Sequence, residues 1–106
     1  MRIEFHPEFP KDVLKFRLSY SHISAGLAER FRHELDQAVK AIKSSPTSAG
    51  HFLNLGSVVV PQLRRKNLKV FPFFILYGLT NDAIIFGAVV PSKSDPLTWL
   101  TRFKSK

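Results

Sequence analysis

Residues 27–46 read LAERFRHELDQAVKAIKSSP, and the spacing of their apolar positions decides the layout of the chain. Leu27, Phe31, Leu35, Ala38, Val39 and Ile42 recur at steps of three and four, which gathers them on one stripe of an α-helix. Ser24 precedes the run where a hydroxyl can cap the first free backbone N–H groups. Asp36 and Lys40 can pair one turn apart on the outer side. The helix must stop by Ser45, because Pro46 disfavours helical geometry in the residue before it. A helix with a single apolar stripe needs another layer to cover, so the rest of the chain must supply one.

Working outward, the stretch before this helix is short. Arg2-Ile3-Glu4-Phe5 alternates polar and apolar residues, as a half-buried strand does. His6-Pro7 breaks it, and Pro10 suits the first turn of a helix, where its missing N–H is not needed. The spacing predicts a first helix from about Pro10 to about Ser21. The short link from Tyr20 to Ser24 then folds the two helices into an antiparallel hairpin.

Beyond Pro46 the pattern changes to that of strands. Thr47 to Gly56 reads as an irregular connection. Ser57–Val60, Gln62–Val70, Phe73–Leu79 and Ala83–Val90 are rich in β-branched and aromatic residues. Thr80-Asn81-Asp82 is a turn between the last two. Phe73, Ile75 and Tyr77 share one face of their strand, and Phe74 and Leu76 the other. Asp95-Pro96 marks a helix start, after which Trp99 and Phe103 fall one turn apart and can pack back on the sheet. The expected fold is α+β: an N-terminal strand and an α-hairpin packed on a three- to four-stranded antiparallel sheet, with a short C-terminal helix. At 106 residues the chain is expected to be one domain, spanning 1–106.

Composition narrows the function. The chain is 44% hydrophobic with ten Phe, ample for one core, and it has no cysteine. Disulfides and thiolate metal sites are therefore excluded. No apolar run approaches the length of a spanning helix, and the N-terminus has no signal-peptide core, so a cytoplasmic protein away from the membrane is expected. The net charge of +8 is uneven. Residues 1–60 carry eight Lys/Arg against six Asp/Glu, whereas residues 61–106 carry eight against two. A basic half of this kind attracts nucleic acid or an acidic protein.

No glycine-rich phosphate loop is present. His6, His22, His33 and His51 lack metal-ligand spacing, and no cofactor is expected. The informative cluster is Arg64-Arg65-Lys66 with Lys69. In a strand Arg64 and Lys66 point to one face and Arg65 to the other. Lys93 and Arg102 are expected on the same side as this cluster. Basic groups on a sheet can hold a phosphate chain or stabilise a phosphoryl transition state; the plain alternative is a solvated strand that resists edge pairing. Phe71, Phe73 and Phe74 could stack bases, but a strand that must bury a face makes them core residues first. Trp99 is likewise core or interface before ligand contact.

Three strings then line up, in order, with one family. LAERFRHELDQAVKAIKSSP is similar to the second helix of the ParE/RelE toxin superfamily, the plasmid-stabilisation toxins of type II toxin–antitoxin pairs. LRRKNLKVFPFFILY (63–77) resembles their central strands, and AIIFGAVVPSKSDPLTW (83–99) their last strand with the following Asp-Pro-x-x-Trp. The resemblance covers nearly the whole chain and favours the ParE-like branch. It implies a cognate antitoxin, usually an acidic, partly disordered chain that wraps the toxin, with Trp99 and Phe103 in the partner interface. It implies inhibition of an essential target such as DNA gyrase through Arg64, Arg65, Lys66, Lys69, Lys93 and Arg102. RelE-like members instead cut mRNA on the ribosome, using basic residues (here Arg64, Arg65 and Lys66) and often a tyrosine near the C-terminus. This chain has Phe103 there, and Tyr77 is its last tyrosine. Pro91, Ser94 and Phe73 depart from the ParE-like pattern by removing a histidine, an arginine and a tyrosine. An inactive toxin-like binding module is the third reading, and a homodimer a further option.

Overall fold

A computed structural model describes residues 1–53 and 62–103. The elements are β1 (Arg2–Phe5), α1 (Phe9–Ser21), α2 (Ala25–Ser44), β2 (His51–Leu53), β3 (Gln62–Asn67), β4 (Phe73–Leu79), β5 (Ala83–Pro91) and a 3-10 helix, Pro96–Phe103. The strand expected at Ser57–Val60 and the tail from Lys104 lie outside the described residues.

α2 forms as its spacing requires. The Ser24 hydroxyl accepts from the Leu27 N–H at 3.0 Å, and Ala28, Phe31, Leu35, Ala38 and Ile42 are buried in one row. α1 carries Pro10 in its first turn and lies beside α2 as the second arm of the hairpin. Its Phe9, Val13, Phe16 and Tyr20 face the core, at steps of four, three and four, while Leu14 and Leu18 stay exposed.

The α+β class and the hairpin-on-sheet layering hold, with a wider sheet than expected. Its order is β1-β5-β4-β3-β2. β2 to β5 are antiparallel, but β1 joins β5 in parallel, so the sheet is mixed. A parallel neighbour needs a long crossover, and the α-hairpin between β1 and the other strands supplies it. The stretch 47–56, expected to be irregular, contributes β2 against Arg65, Arg64 and Leu63. β3 ends at Asn67 rather than Val70, because the Leu68 N–H turns to the Phe73 carbonyl at 2.9 Å and closes the β3–β4 loop.

The central strand β4 is buried at every residue, since each face meets its own core. Phe73, Ile75, Tyr77 and Leu79 face the hairpin, together with Ile84, Phe86 and Val89. Phe74 and Leu76 face the other way, with Leu63, Ala88, Val90 and Phe103, and Trp99 packs against this second cluster. The packing of Trp99 and Phe103 back on the sheet is thus as expected, although their helix is a 3-10 helix. Phe71, Phe73 and Phe74 are buried and pack in the two cores.

β5 also serves both faces, and its alternation is interrupted once by a bulge. Tyr77 pairs with Phe86 and Leu76 with Ala88, which leaves Gly87 as the extra residue. A Cβ on Gly87 would overlap the Phe103 ring, so the bulge also makes room for the C-terminal helix. Among the described residues, no helix is long and apolar enough to cross a membrane.

Candidate functional site

The site is built on the β3–β4 hairpin and the side of α2 that borders it. Glu34, on α2, accepts from the Val70 N–H with both oxygens at 3.1 Å and from the Phe71 N–H at 3.1 Å. A carboxylate that receives two backbone N–H groups is a strong anchor, and here it ties the 68–72 loop to the helix. Between the two lies a groove of about 400 Å³ lined by His33, Glu34, Gln37, Ala38 and Ala41 of α2 and by Lys66, Asn67, Leu68 and Lys69. Glu34 is the one acid of the lining, and its oxygens are occupied by backbone N–H groups. Lys66, Lys69 and His33 have no ion-pair or hydrogen-bond partner among the described residues. The groove is therefore a largely apolar trough flanked by the Lys66 and Lys69 ammonium groups, suited to hold an anionic chain.

The six basic positions singled out in the sequence are not gathered in one place. Lys66 faces the hairpin side, opposite Ile75, and lines the groove with Lys69. Lys93 is exposed, in a loop held against the 68–72 loop by Ser92 N–H donating to the Pro72 carbonyl at 2.9 Å. Arg65 points to the opposite face, where its guanidinium lies 3.8 Å from the centre of the Phe74 ring and donates to Asn67 at 2.9 and 3.0 Å.

Arg64 and Arg102 are engaged internally. Arg64 donates to the carbonyls of Thr47 and Gly50 at 2.5 and 2.6 Å, and its Nε is buried without a partner among the described residues. Beside it the Tyr77 hydroxyl donates to the Pro46 carbonyl at 2.7 Å. Burial pushes the Tyr77 phenol up, against smaller downward pulls from Arg64 and the Gly50 backbone. Together Arg64 and Tyr77 clamp the turn between α2 and β2. Gly50 is required there, since a Cβ would stand 2.5 Å from the Tyr77 hydroxyl and 2.8 Å from the Arg65 carbonyl oxygen.

Arg102 sits beyond β5, two strands from β3. It donates to Asp12 at 2.7 and 3.3 Å and to the Gly87 carbonyl at 2.9 Å, while Asp12 also accepts from the Val89 N–H at 3.0 Å. β1 covers β5 only as far as Phe86. The ion pair covers the backbone groups of the next three residues and joins α1 to the C-terminal helix. Phe103 is buried, and Trp99 keeps a partly exposed ring.

Sequence reasoning missed His33, Gln37 and Asn67 as groove residues and Asp12 and Glu34 as anchors. His33 and Gln37 were findable, because four-residue spacing places them in a row with Ala41 beside the apolar stripe. Nothing local in the sequence distinguishes Asp12 or Glu34 from a solvated helix charge. Among the described residues no group of three His, Asp or Glu side chains converges in a way that could hold a metal.

No family model matches the sequence, and no curated protein is significantly similar to it. Among solved structures, the chain superposes on one from the chromosomal ParDE TA system of P. aeruginosa with a TM-score of 0.68 and 18% identity. The match covers 88% of this chain and 97% of that one. The two chains share a fold. The order of α-hairpin, sheet and C-terminal helix in this chain is the one expected from its sequence.

Proposed function

We propose that the chain is the toxin component of a type II toxin–antitoxin pair, a ParE-like member of the ParE/RelE superfamily. In this reading it works in the cytoplasm, binds an essential target such as DNA gyrase, and is neutralised by a cognate acidic antitoxin. The observation that carries the reading is the likeness to a ParDE-system chain over 88% of the length, coupled to three ordered strings of sequence that resemble the same superfamily. The groove fits it too, because an acidic chain is what Lys66, Lys69 and His33 would attract.

Within the proposal the basic residues divide by their surroundings. Lys66 and Lys69, with Lys93 and Arg65, are the groups placed to meet a target or partner. Arg64, Arg102 and Phe103 act by holding the surfaces in place, and Trp99 offers the exposed edge of its ring. The ribosome-dependent endoribonuclease reading is weaker, because Tyr77 is buried with its hydroxyl bound to Pro46 and cannot exchange a proton with a substrate.

The test is inducible expression in a bacterial host. Growth arrest with induction of the DNA-damage response is expected, relieved by co-expression of a small acidic protein encoded beside this one. Lys66→Glu with Lys69→Glu should weaken that rescue or the arrest without changing the melting temperature. Absence of arrest would refute toxin activity, and new 5′ ends at translated codons would replace gyrase with mRNA as the target.

A further inference from the structure

β1 ends the sheet, so one of its edges carries unpaired backbone groups. The ladder to β5 fixes which ones. Arg2 donates to the Asp82 carbonyl at 2.7 Å and His6 to the Phe86 carbonyl at 2.9 Å. In a parallel ladder alternate residues face the neighbour, so the N–H and C=O of Ile3 and Phe5 point away from the protein. The side chains alternate as well. Ile3 and Phe5 pair with Ile84 and Phe86 of the hairpin-side core yet remain 37% and 44% exposed. Arg2 and Glu4 occupy the opposite face as an exposed 3.0 Å ion pair.

We propose that two copies of the chain pair through β1, antiparallel and centred on Ile3, joining their sheets into one. In this register Ile3 faces Ile3 of the second copy at a hydrogen-bonded position, and Phe5 faces Met1, which is 72% exposed. Arg2 faces Glu4 of the second copy, and Glu4 faces its Arg2, at the intervening positions where side chains come closest. Every outward backbone group of Ile3 and Phe5 then finds a partner, and both charges meet their opposites. Centring the pair on Arg2 or on Glu4 would set like charges face to face. A one-residue shift would set outward groups against inward ones. Parallel pairing in register would oppose Arg2 to Arg2. The charge order of this edge therefore selects a second copy of the same strand in one register.

Analytical ultracentrifugation of the full chain tests this. The mass should double as concentration rises, with amide exchange at Ile3 and Phe5 slowing in step. Ile3→Pro removes the outward N–H and trims a half-buried side chain, so it should lower the melting temperature by a few degrees, leave the monomer folded and hold it monomeric. Arg2→Glu and Glu4→Arg should each be monomeric alone and form a dimer when mixed, because the mixture restores both charge pairs. A wild-type monomer across the soluble range, a dimer indifferent to Ile3→Pro, or failure of the two charge variants to associate on mixing would overturn the proposal.

Discussion

Removing Arg102 should reveal how much of the fold depends on one ion pair. In Arg102→Met the Asp12 carboxylate loses two of its three donors among the described residues, and the Gly87 carbonyl loses the Arg102 guanidinium. Breaking a fully buried pair costs about 3–5 kcal/mol. These side chains are 18% and 15% exposed, and the Val89 N–H stays with Asp12, so about 2–3 kcal/mol is the appropriate range. Unfolding entropy near 60 °C is about 2.1 cal/mol/K per residue, or about 0.22 kcal/mol/K for this chain length. The melting temperature should therefore fall by about 9–13 °C. Asp12→Leu should cost a similar amount, because it strands the guanidinium and the Val89 N–H. The double variant should recover about 1.5–2.5 kcal/mol relative to the sum of the singles. Thermal and urea melts of the four proteins measure that coupling. A coupling under about 0.5 kcal/mol would mean that the two groups act independently, and the account of the uncovered β5 edge would be wrong.

Three further outcomes are expected. Gly87→Ala should displace Phe103 and cost about 1–3 kcal/mol, seen as a shift in Trp99 fluorescence with the hairpin core intact. Tyr77→Phe should cost about 1 kcal/mol for its bond to Pro46 and also flatten the alkaline limb of stability. The sign follows from burial, which raises the folded phenol's pKa: the unfolded chain ionises first, near about 10, so the stabilisation is complete below that pH and is lost as pH rises towards the folded value. Tyr20, also raised by burial, should keep a residual slope. Glu34→Gln should speed amide exchange at Val70 and Phe71 while leaving Leu68 protected, and exchange unchanged at the first two would refute the anchoring role.

The parts of the fold that follow from periodicity were legible in the sequence. The stripe from Leu27 to Ile42 reported α2 and its buried side, and the run from Phe73 to Leu79 reported a strand with two apolar faces. Pairing was less legible, because direction is a long-range property. Nothing local in Arg2–Phe5 says that it lies parallel to β5. The candidate site was half legible. Charge density pointed to Arg64, Arg65, Lys66 and Lys69, but which of them is free depends on carbonyls at Thr47 and Gly50 that only folding brings near Arg64. Arg102 was misplaced for the same reason, since its partner Asp12 is ninety positions away.

The bulge at Gly87 has a consequence for insertions and deletions. Phe86 and Ala88 already stand opposite the consecutive residues Tyr77 and Leu76, with one supernumerary glycine between them. Deleting it would leave a plain alternating strand in which Ala88, Val89 and Val90 keep their present sides. A one-residue change elsewhere in the strand, with no bulge to absorb it, would instead exchange the inner and outer occupants on one side of the change. Homologues that vary in length should therefore place a single-residue gap at this position and keep gaps out of the rest of the strand.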